Sequence, residues 1–273
     1  AGPVPRLPGA FRRNVLVRVT HSCISVGTEM AGMRMSGLPL YQRALKQPEN
    51  VKRVLDMMRE QGIKRTLDRV QGKLAAGSPT GYSAAGVVIE VGEEVEGFSV
   101  GDRVACAGAG VANHAEIIDV PVNLAVPCPE GLGNDMASTV TLGAIAMQGV
   151  RRAQPTLGET FVVVGLGILG QITAQLLTAN GCRVIGVDLD PQRVDLALGT
   201  GMAIGINPAT DPYVERVLKH TQGLGADGVI VTAATPSNEV ISEAMQACRK
   251  KGPVVLVGGV GLDLKRGGVY NKE

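Results

Sequence analysis

The sequence predicts an α/β protein in two parts: a strand-rich first half and a doubly wound parallel sheet in the second. Three observations predict it. Short apolar strands with glycine punctuation fill residues 81–120. Strands alternate with helices from about residue 160 onward. A glycine-rich turn, Gly165-Leu166-Gly167-Ile168-Leu169-Gly170, joins the first of those strands to its helix. Short strands separated by turn signals build small barrels or sandwiches. Alternating strands and helices build a parallel sheet with helices on both faces.

In the first half, Val15–Val19 alternates in and out as a half-buried strand does. Gly27 and Gly32 then punctuate a loop. Residues 41–74 change period. Val51, Val54, Leu55 and Met58 recur at helical spacing, and after Gly62 so do Ile63, Leu67, Val70 and Leu74. This helical insertion reads as two amphipathic helices covering one side of a sheet, with a lid or a dimer face as the other readings. Val87–Val91, a strand opened by Gly101-Asp102-Arg103-Val104, and Ala115–Val120 complete the strand set. Pro127 and Pro129 mark a boundary, giving domains 1–130 and 131–273. A helix is expected over 134–153 with Asn134 as its N-cap.

In the second half the expected order is strand 161–164, helix 168–180, strand 183–187, helix 191–199 and a short strand at 203–206. Helix 211–222, strand 227–232, helix 237–250 and strand 253–257 follow.

The glycine turn carries the clearest chemistry. The first glycine of G-x-G-x-x-G allows a tight turn, the second lets backbone approach a pyrophosphate, and the third lets helix pack on strand. The helix N-terminus then offers N–H groups to the phosphates. The next strand ends in Asp188, about 20 residues beyond the first glycine, where a carboxylate accepts bonds from ribose hydroxyls. A carboxylate there repels a 2′-phosphate, so NAD(H) is expected over NADP(H). Arg193 reads either as a phosphate ligand or as a helix-surface arginine. Ligands sit at the carboxyl ends of parallel strands. Thr232 and Ala233 after one strand, and Gly258 and Gly259 after another, therefore flank the expected cleft, the glycines leaving room for a flat ring.

Bulk composition narrows the rest. The 273 residues carry a net charge of +2, no Trp and 3% aromatic residues, so nucleic acid is not an expected partner. Cys23, Cys106, Cys128, Cys182 and Cys248 are scattered without a C-x-x-C spacing. They read as buried small hydrophobes in a reducing compartment, not as a disulfide framework or a zinc knot. No secretory signal and no membrane-length apolar run is seen, so a cytoplasmic protein without a membrane partner is expected. The Ala-Gly-Pro start and the abrupt end at Glu273 suggest a piece of a longer chain.

A strand-rich half, a helix, and a Rossmann half entered through Val164-Gly165-Leu166-Gly167 together resemble the medium-chain dehydrogenase/reductase superfamily. Gly86–Gly92, Gly101–Val104 and Ala226–Ile230 are similar to strings of that family in the same order. The resemblance implies a GroES-like β-barrel catalytic domain ahead of the Rossmann domain. A narrower likeness rests on Ser22–Glu29, the helical insertion, Gly81–Gly86 and Ala105–Glu116, which resemble the N-terminal module of bi-domain oxidoreductases. It implies fusion to a second dehydrogenase module and a sugar-related substrate, an association and not a chemical argument.

Zinc-dependent members place a Cys before Gly-Thr-Asp, a His-Glu pair after a Gly, and a third ligand in the linking helix. Here Val26 precedes Gly27-Thr28-Glu29, Tyr82-Ser83 follows Gly81, and Thr141 falls near the third position. Valine cannot ligate zinc, and Tyr and Thr are poor ligands. A zinc-free member is therefore expected. Without the metal, a side chain must polarise or protonate the substrate oxygen. The candidates are Thr28, which matches the family's relay hydroxyl, Tyr82, which replaces the His, and His114, whose imidazole serves as an acid or a base, with Asn113 as an orienting neighbour. Each has a plain structural role as its competitor: a turn hydroxyl, a wall residue, a strand hydrogen-bonder. Glu29 reads as an orienting group.

The expected activity is hydride transfer between NAD(H) and an alcohol/carbonyl pair, with a sugar derivative as substrate class. The alternatives are an NADPH-dependent quinone or enone reductase, and a catalytically inactive nucleotide-binding module of a fused protein. A homodimer or higher homo-oligomer is expected, because Val254–Val260 is apolar enough to pair across an edge.

Overall fold

The computed structural model describes residues 12–30, 39, 42, 45, 48–68 and 79–264. Gly32, Val70 and Leu74 of the sequence reading lie outside them. The chain forms two compact units that divide at Thr141/Leu142.

The first unit is built on an antiparallel sheet. Its strands are β1 (Asn14–Ser22), β2 (Ser83–Val91), β3 (Arg103–Ala107), β4 (Ile117–Pro121) and β5 (Ala125–Pro127), in the order β4-β1-β2-β3-β5. Alternation places Val15 and Val17 inward, where they meet Ala84, Val88, Val104, Cys106, Ile118 and Val120. Irregularities between Leu16/Val17 and Val19/His21 interrupt the β1–β2 register. Such bulges bend a strand and let a sheet curl. β2 begins at Ser83, not Val87, because burial of the small residues Ser83-Ala84-Ala85 overrides their weak strand propensity. A Cβ on Gly86 would strike the Arg18 carbonyl, so glycine sets the close approach of β1 and β2.

The insertion contains helix α1 (Pro48–Gln61) and a second helical stretch at 63–68, broken at Gly62, whose φ is +84°. The apolar stripe does not cover a sheet among the described residues. Leu55 is 50% exposed and Ile63 65%. The expected helix 134–153 is two helices, α2 (Asn134–Ala137) and α3 (Val140–Ala153). Gly133, not Asn134, is the N-cap. The Asn134 side chain instead accepts from Arg103 Nε at 3.0 Å and donates to Thr20 Oγ1 at 2.9 Å. α2 packs on β1, β2 and β3, so the first unit runs past Pro129.

The second unit is a parallel sheet. β6 (Thr160–Val164), β7 (Arg183–Val187), β8 (Ile204–Ile206), β9 (Gly228–Val231) and β10 (Val254–Leu256) lie in the order β10-β9-β6-β7-β8. Helices α4 (Ile168–Ala179), α5 (Pro191–Gly199), α6 (Tyr213–His220) and α7 (Glu239–Ala247) connect them. The apolar run of β6 serves two cores. Phe161 and Val163 pack with Val150, Leu177, Val194 and Ala197 on one face. Val162 and Val164 pack with Ile185, Val187, Tyr213 and Val217 on the other. Strands buried on both faces read as continuous apolar runs. β6 pairs on one side with β7, the next strand in the chain, and on the other with β9, reached by a return crossover, and such a switch point opens a crevice at the strands' carboxyl ends.

Candidate functional site

Two clusters hold the expected site residues, one in each unit.

In the second unit, β6 ends at Val164 and the chain turns through Gly165, whose φ is +93°. A Cβ there would lie 2.7 Å from Ala233 N, and one on Gly170 would collide with the Gly165 carbonyl oxygen. Gly167 has nothing within 4 Å of its Cβ position. It is the N-cap of α4 and lends no side chain to the first-turn N–H groups. Open space beside unpaired helix N–H groups fits a pyrophosphate. Leu166 is buried, Leu169 is half-buried with its carbonyl accepting from Thr173 Oγ1, and Ile168 is exposed.

Asp188, 10% exposed, secures the loop. Its Oδ2 accepts from Leu166 N at 2.6 Å and its Oδ1 from Asp190 N at 2.9 Å. A carboxylate offers about four acceptor positions, so capacity remains for ribose hydroxyls. Arg193 is 53% exposed and lies 3.8 Å from Asp188 and 3.4 Å from Asp190. Thr232 Oγ1 donates to the Gly165 carbonyl at 2.5 Å, and Ala233 N to Val164 O at 3.0 Å, so both brace the loop. A Cβ on Gly258 would collide with the Ala233 carbonyl, making that glycine a packing necessity, while Gly259 has open space.

Sequence reasoning missed Gln171. Its buried amide donates to Leu166 O at 3.1 Å and Arg193 O at 2.8 Å, linking the glycine loop to the start of α5. A polar residue on the inner stripe of an apolar helix was the available signal.

In the first unit, His114 lies in the loop before β4, not in a strand. Its backbone N–H donates to Thr80 O at 2.8 Å, and its ring abuts Gly81, whose φ is +90°. The ring spans two partners: Nδ1 is 2.9 Å from Ser22 Oγ, and Nε2 is 3.1 Å from Glu29 Oε2. Glu29 Oε1 accepts from Ser25 N at 2.9 Å. Thr28 is exposed, with its hydroxyl 3.4 Å from Ser25 Oγ. The Asn113 Oδ1 atom is buried without a partner among the described residues. Ser22, missed in the sequence, stands 92 residues from His114, beyond any local pattern.

The family's zinc positions are differently employed. Val26 is 66% exposed. The Thr141 hydroxyl donates to Tyr82 O at 3.0 Å. Ser83, fully buried, donates to Ser138 O at 2.6 Å and accepts from Thr141 N at 3.1 Å. Tyr82 keeps a half-buried ring while its carbonyl also accepts from Gly108 N. These residues do not fit a zinc ion, since they tie β2 to the α2–α3 junction and supply no ligand set.

Two family models match the chain: the alcohol dehydrogenase GroES-like domain over residues 58–130 and the zinc-binding dehydrogenase over residues 169–270. The D-guloside 3-dehydrogenase of Escherichia coli (strain K12) is 35% identical over 155 residues, which cover 56% of this chain and 44% of that protein. This chain belongs to the medium-chain dehydrogenase/reductase superfamily. The NAD-dependent alcohol dehydrogenase of Sulfurisphaera tokodaii is 30% identical to this superfamily member over 214 residues, 68% of this chain and 61% of the relative. Among solved structures, Escherichia coli quinone oxidoreductase complexed with NADPH aligns over 100% of this chain and 73% of its own, with a TM-score of 0.72 and 19% identity. That likeness carries the fold: a GroES-like domain and a Rossmann-like parallel sheet. The chain spans about half the length of the curated relatives it matches, 44% to 61%. No helix among the described residues is long and apolar enough to cross a membrane.

Proposed function

We propose that this superfamily member transfers a hydride between NAD(H) and an alcohol/carbonyl substrate, a sugar derivative in class, without a catalytic zinc. The observation that carries the reading is the loop Gly165–Gly170, held by Asp188 through Leu166 N. Its glycines, helix N–H groups and carboxylate match the needs of pyrophosphate and ribose. When bound, the nicotinamide supplies or takes up the hydride. The protein binds the dinucleotide through Gly165, Leu166, Gly167, Ile168, Leu169, Gly170 and Asp188, with Thr232, Ala233, Gly258 and Gly259 shaping the strand ends. Thr28, Tyr82 and His114 are the candidate proton-handling groups, and His114 has the fullest set of partners. The absence of zinc is supported by Val26, Ser83 and Thr141, which are exposed apolar or committed to backbone partners. The sugar class is supported by likeness to a guloside dehydrogenase.

A second reading, an NADPH-dependent quinone or enone reductase, has Arg193 in its favour, because the guanidinium stands beside Asp188 and could meet a 2′-phosphate. Titrating the protein with NADH and NADPH, following nicotinamide fluorescence, separates the two. Tighter NADH binding is expected. Tighter NADPH binding selects the reductase, and no binding of either removes both. Pairing of copies through the β10 edge and fusion to a second module stay part of the proposal.

A further inference from the structure

The proton-handling group in the first unit is a chain of three side chains. Glu29, ionised, only accepts hydrogen bonds. Its Oε1 is engaged by Ser25 N–H, which fixes the carboxylate, and its Oε2 faces His114 Nε2 at 3.1 Å. Nε2 must therefore carry the proton of the neutral imidazole. Nδ1 is then a bare acceptor, and the Ser22 hydroxyl, 2.9 Å away, must donate to it. With its own proton directed at Nδ1, Ser22 Oγ turns its lone pairs elsewhere. The ring cannot swing freely, because its backbone is tied to Thr80 and its face rests on Gly81. Burial, and then the charge of Glu29, push the thiol of the adjacent Cys23 up from its ordinary value.

We propose that Ser22 is the hydroxyl that exchanges a proton with the substrate oxygen, with His114 as proton reservoir and Glu29 as the positioning residue that fixes the ring's tautomer. This rests on the alcohol/carbonyl reading above. In the oxidative direction the alcohol O–H breaks and its proton joins Ser22 Oγ. The Ser22 O–H breaks in turn and its proton joins Nδ1, giving an imidazolium beside the Glu29 carboxylate. The co-reactant that accepts the hydride from the carbinol carbon is the oxidised nicotinamide dinucleotide of that reading. Of the three candidates read from sequence, this selects His114 and adds a serine that motif reasoning passed over.

Ring nitrogen NMR on the full chain labelled with 15N-histidine tests the arrangement without cofactor. The chain has three histidines, and His114→Gln identifies the relevant signals by their loss. The Nε2–H tautomer is expected in the wild type and a mixture in Glu29→Ala, where the acceptor facing Nε2 is gone. Ser22→Ala is expected to keep the tautomer but move Nδ1 to the shift of an unbonded ring nitrogen. In a screen of secondary alcohols and glycosides with NAD, Ser22→Ala is expected to lose about 100-fold in kcat with little change in KM. An Nδ1–H tautomer in the wild type overturns the proposal, as does a Ser22→Ala enzyme with wild-type kcat. A wild-type chain that binds NADH yet oxidises nothing in the screen overturns the relay together with the alcohol reading. Failure to bind NADH strikes that reading, while the tautomer still decides the three-residue geometry.

Discussion

Asp188 ties Leu166 N into the glycine turn, and in the proposed NAD(H) reading the same carboxylate meets a ribose. Asp188→Asn removes the charge and leaves one acceptor oxygen where two N–H groups, of Leu166 and Asp190, now donate. Hydrogen bonds to charged groups contribute about 1.5–3 kcal/mol. NADH affinity should therefore fall about 10- to 100-fold, and stability by about 1–3 kcal/mol as one backbone donor loses its acceptor, read by fluorescence titration and melting temperature. Gly170→Ala should act by another route. Its Cβ meets the Gly165 carbonyl, so both binding and stability should fall, the latter by about 1–3 kcal/mol, measured by urea denaturation. Cys106 supplies a pH effect. Burial, with a smaller contribution from Cys128, pushes its thiol up to about 12 from the ordinary 9. A group whose folded pKa is raised contributes stability below the unfolded value that is lost as pH rises toward the folded one. Urea midpoints should thus decline between about pH 9 and 12, with a shallower decline in Cys106→Ala. At this scale the sequence spoke unevenly. The glycines and Asp188 lie within one local motif and were legible. The partners of His114 were not, because Ser22 and Glu29 reach it only through the pairing of β1 with β2 and the turn at Gly81.

Helices and strands were legible in proportion to how fully their burial sets the pattern. Phe161–Val164 reads as a buried parallel strand because helices cover both faces. α1 has a helical period too, yet its stripe stays exposed at Val51 and Leu55 among the described residues. Periodicity states which face is apolar and leaves open what meets it. The α2–α3 break was hidden for another reason. Ser138 and Thr139 bond back to Asp135 and Met136 carbonyls through their hydroxyls, a local competition with the helix ladder that apolar spacing does not report. Truncations should rank these elements. Leu177→Ala in α4 removes a fully buried side chain and should cost about 2–5 kcal/mol, whereas Leu55→Ala in α1 should stay within about 0.5 kcal/mol, both measured by denaturant unfolding.

At the scale of the molecule, each unit has its own buried clusters, and in the second they lie on opposite faces of one sheet. The sheet separates Leu177 on one face from Val217 on the other, and they share no cluster. Destabilisation by Leu177→Ala and Val217→Ala should add to within about 0.3–0.5 kcal/mol, and a larger coupling would show that the sheet transmits repacking from face to face. The strand order has a consequence in time. During synthesis β6 and β7 leave the ribosome early, but the other flank of β6 waits for β9, which begins at Gly228. At about 5–20 residues per second, the central strand keeps an open edge for several seconds. Unpaired edges attract other strands. The nascent chain, more than the finished protein, is where the flank of this sheet's central strand lies open to other strands.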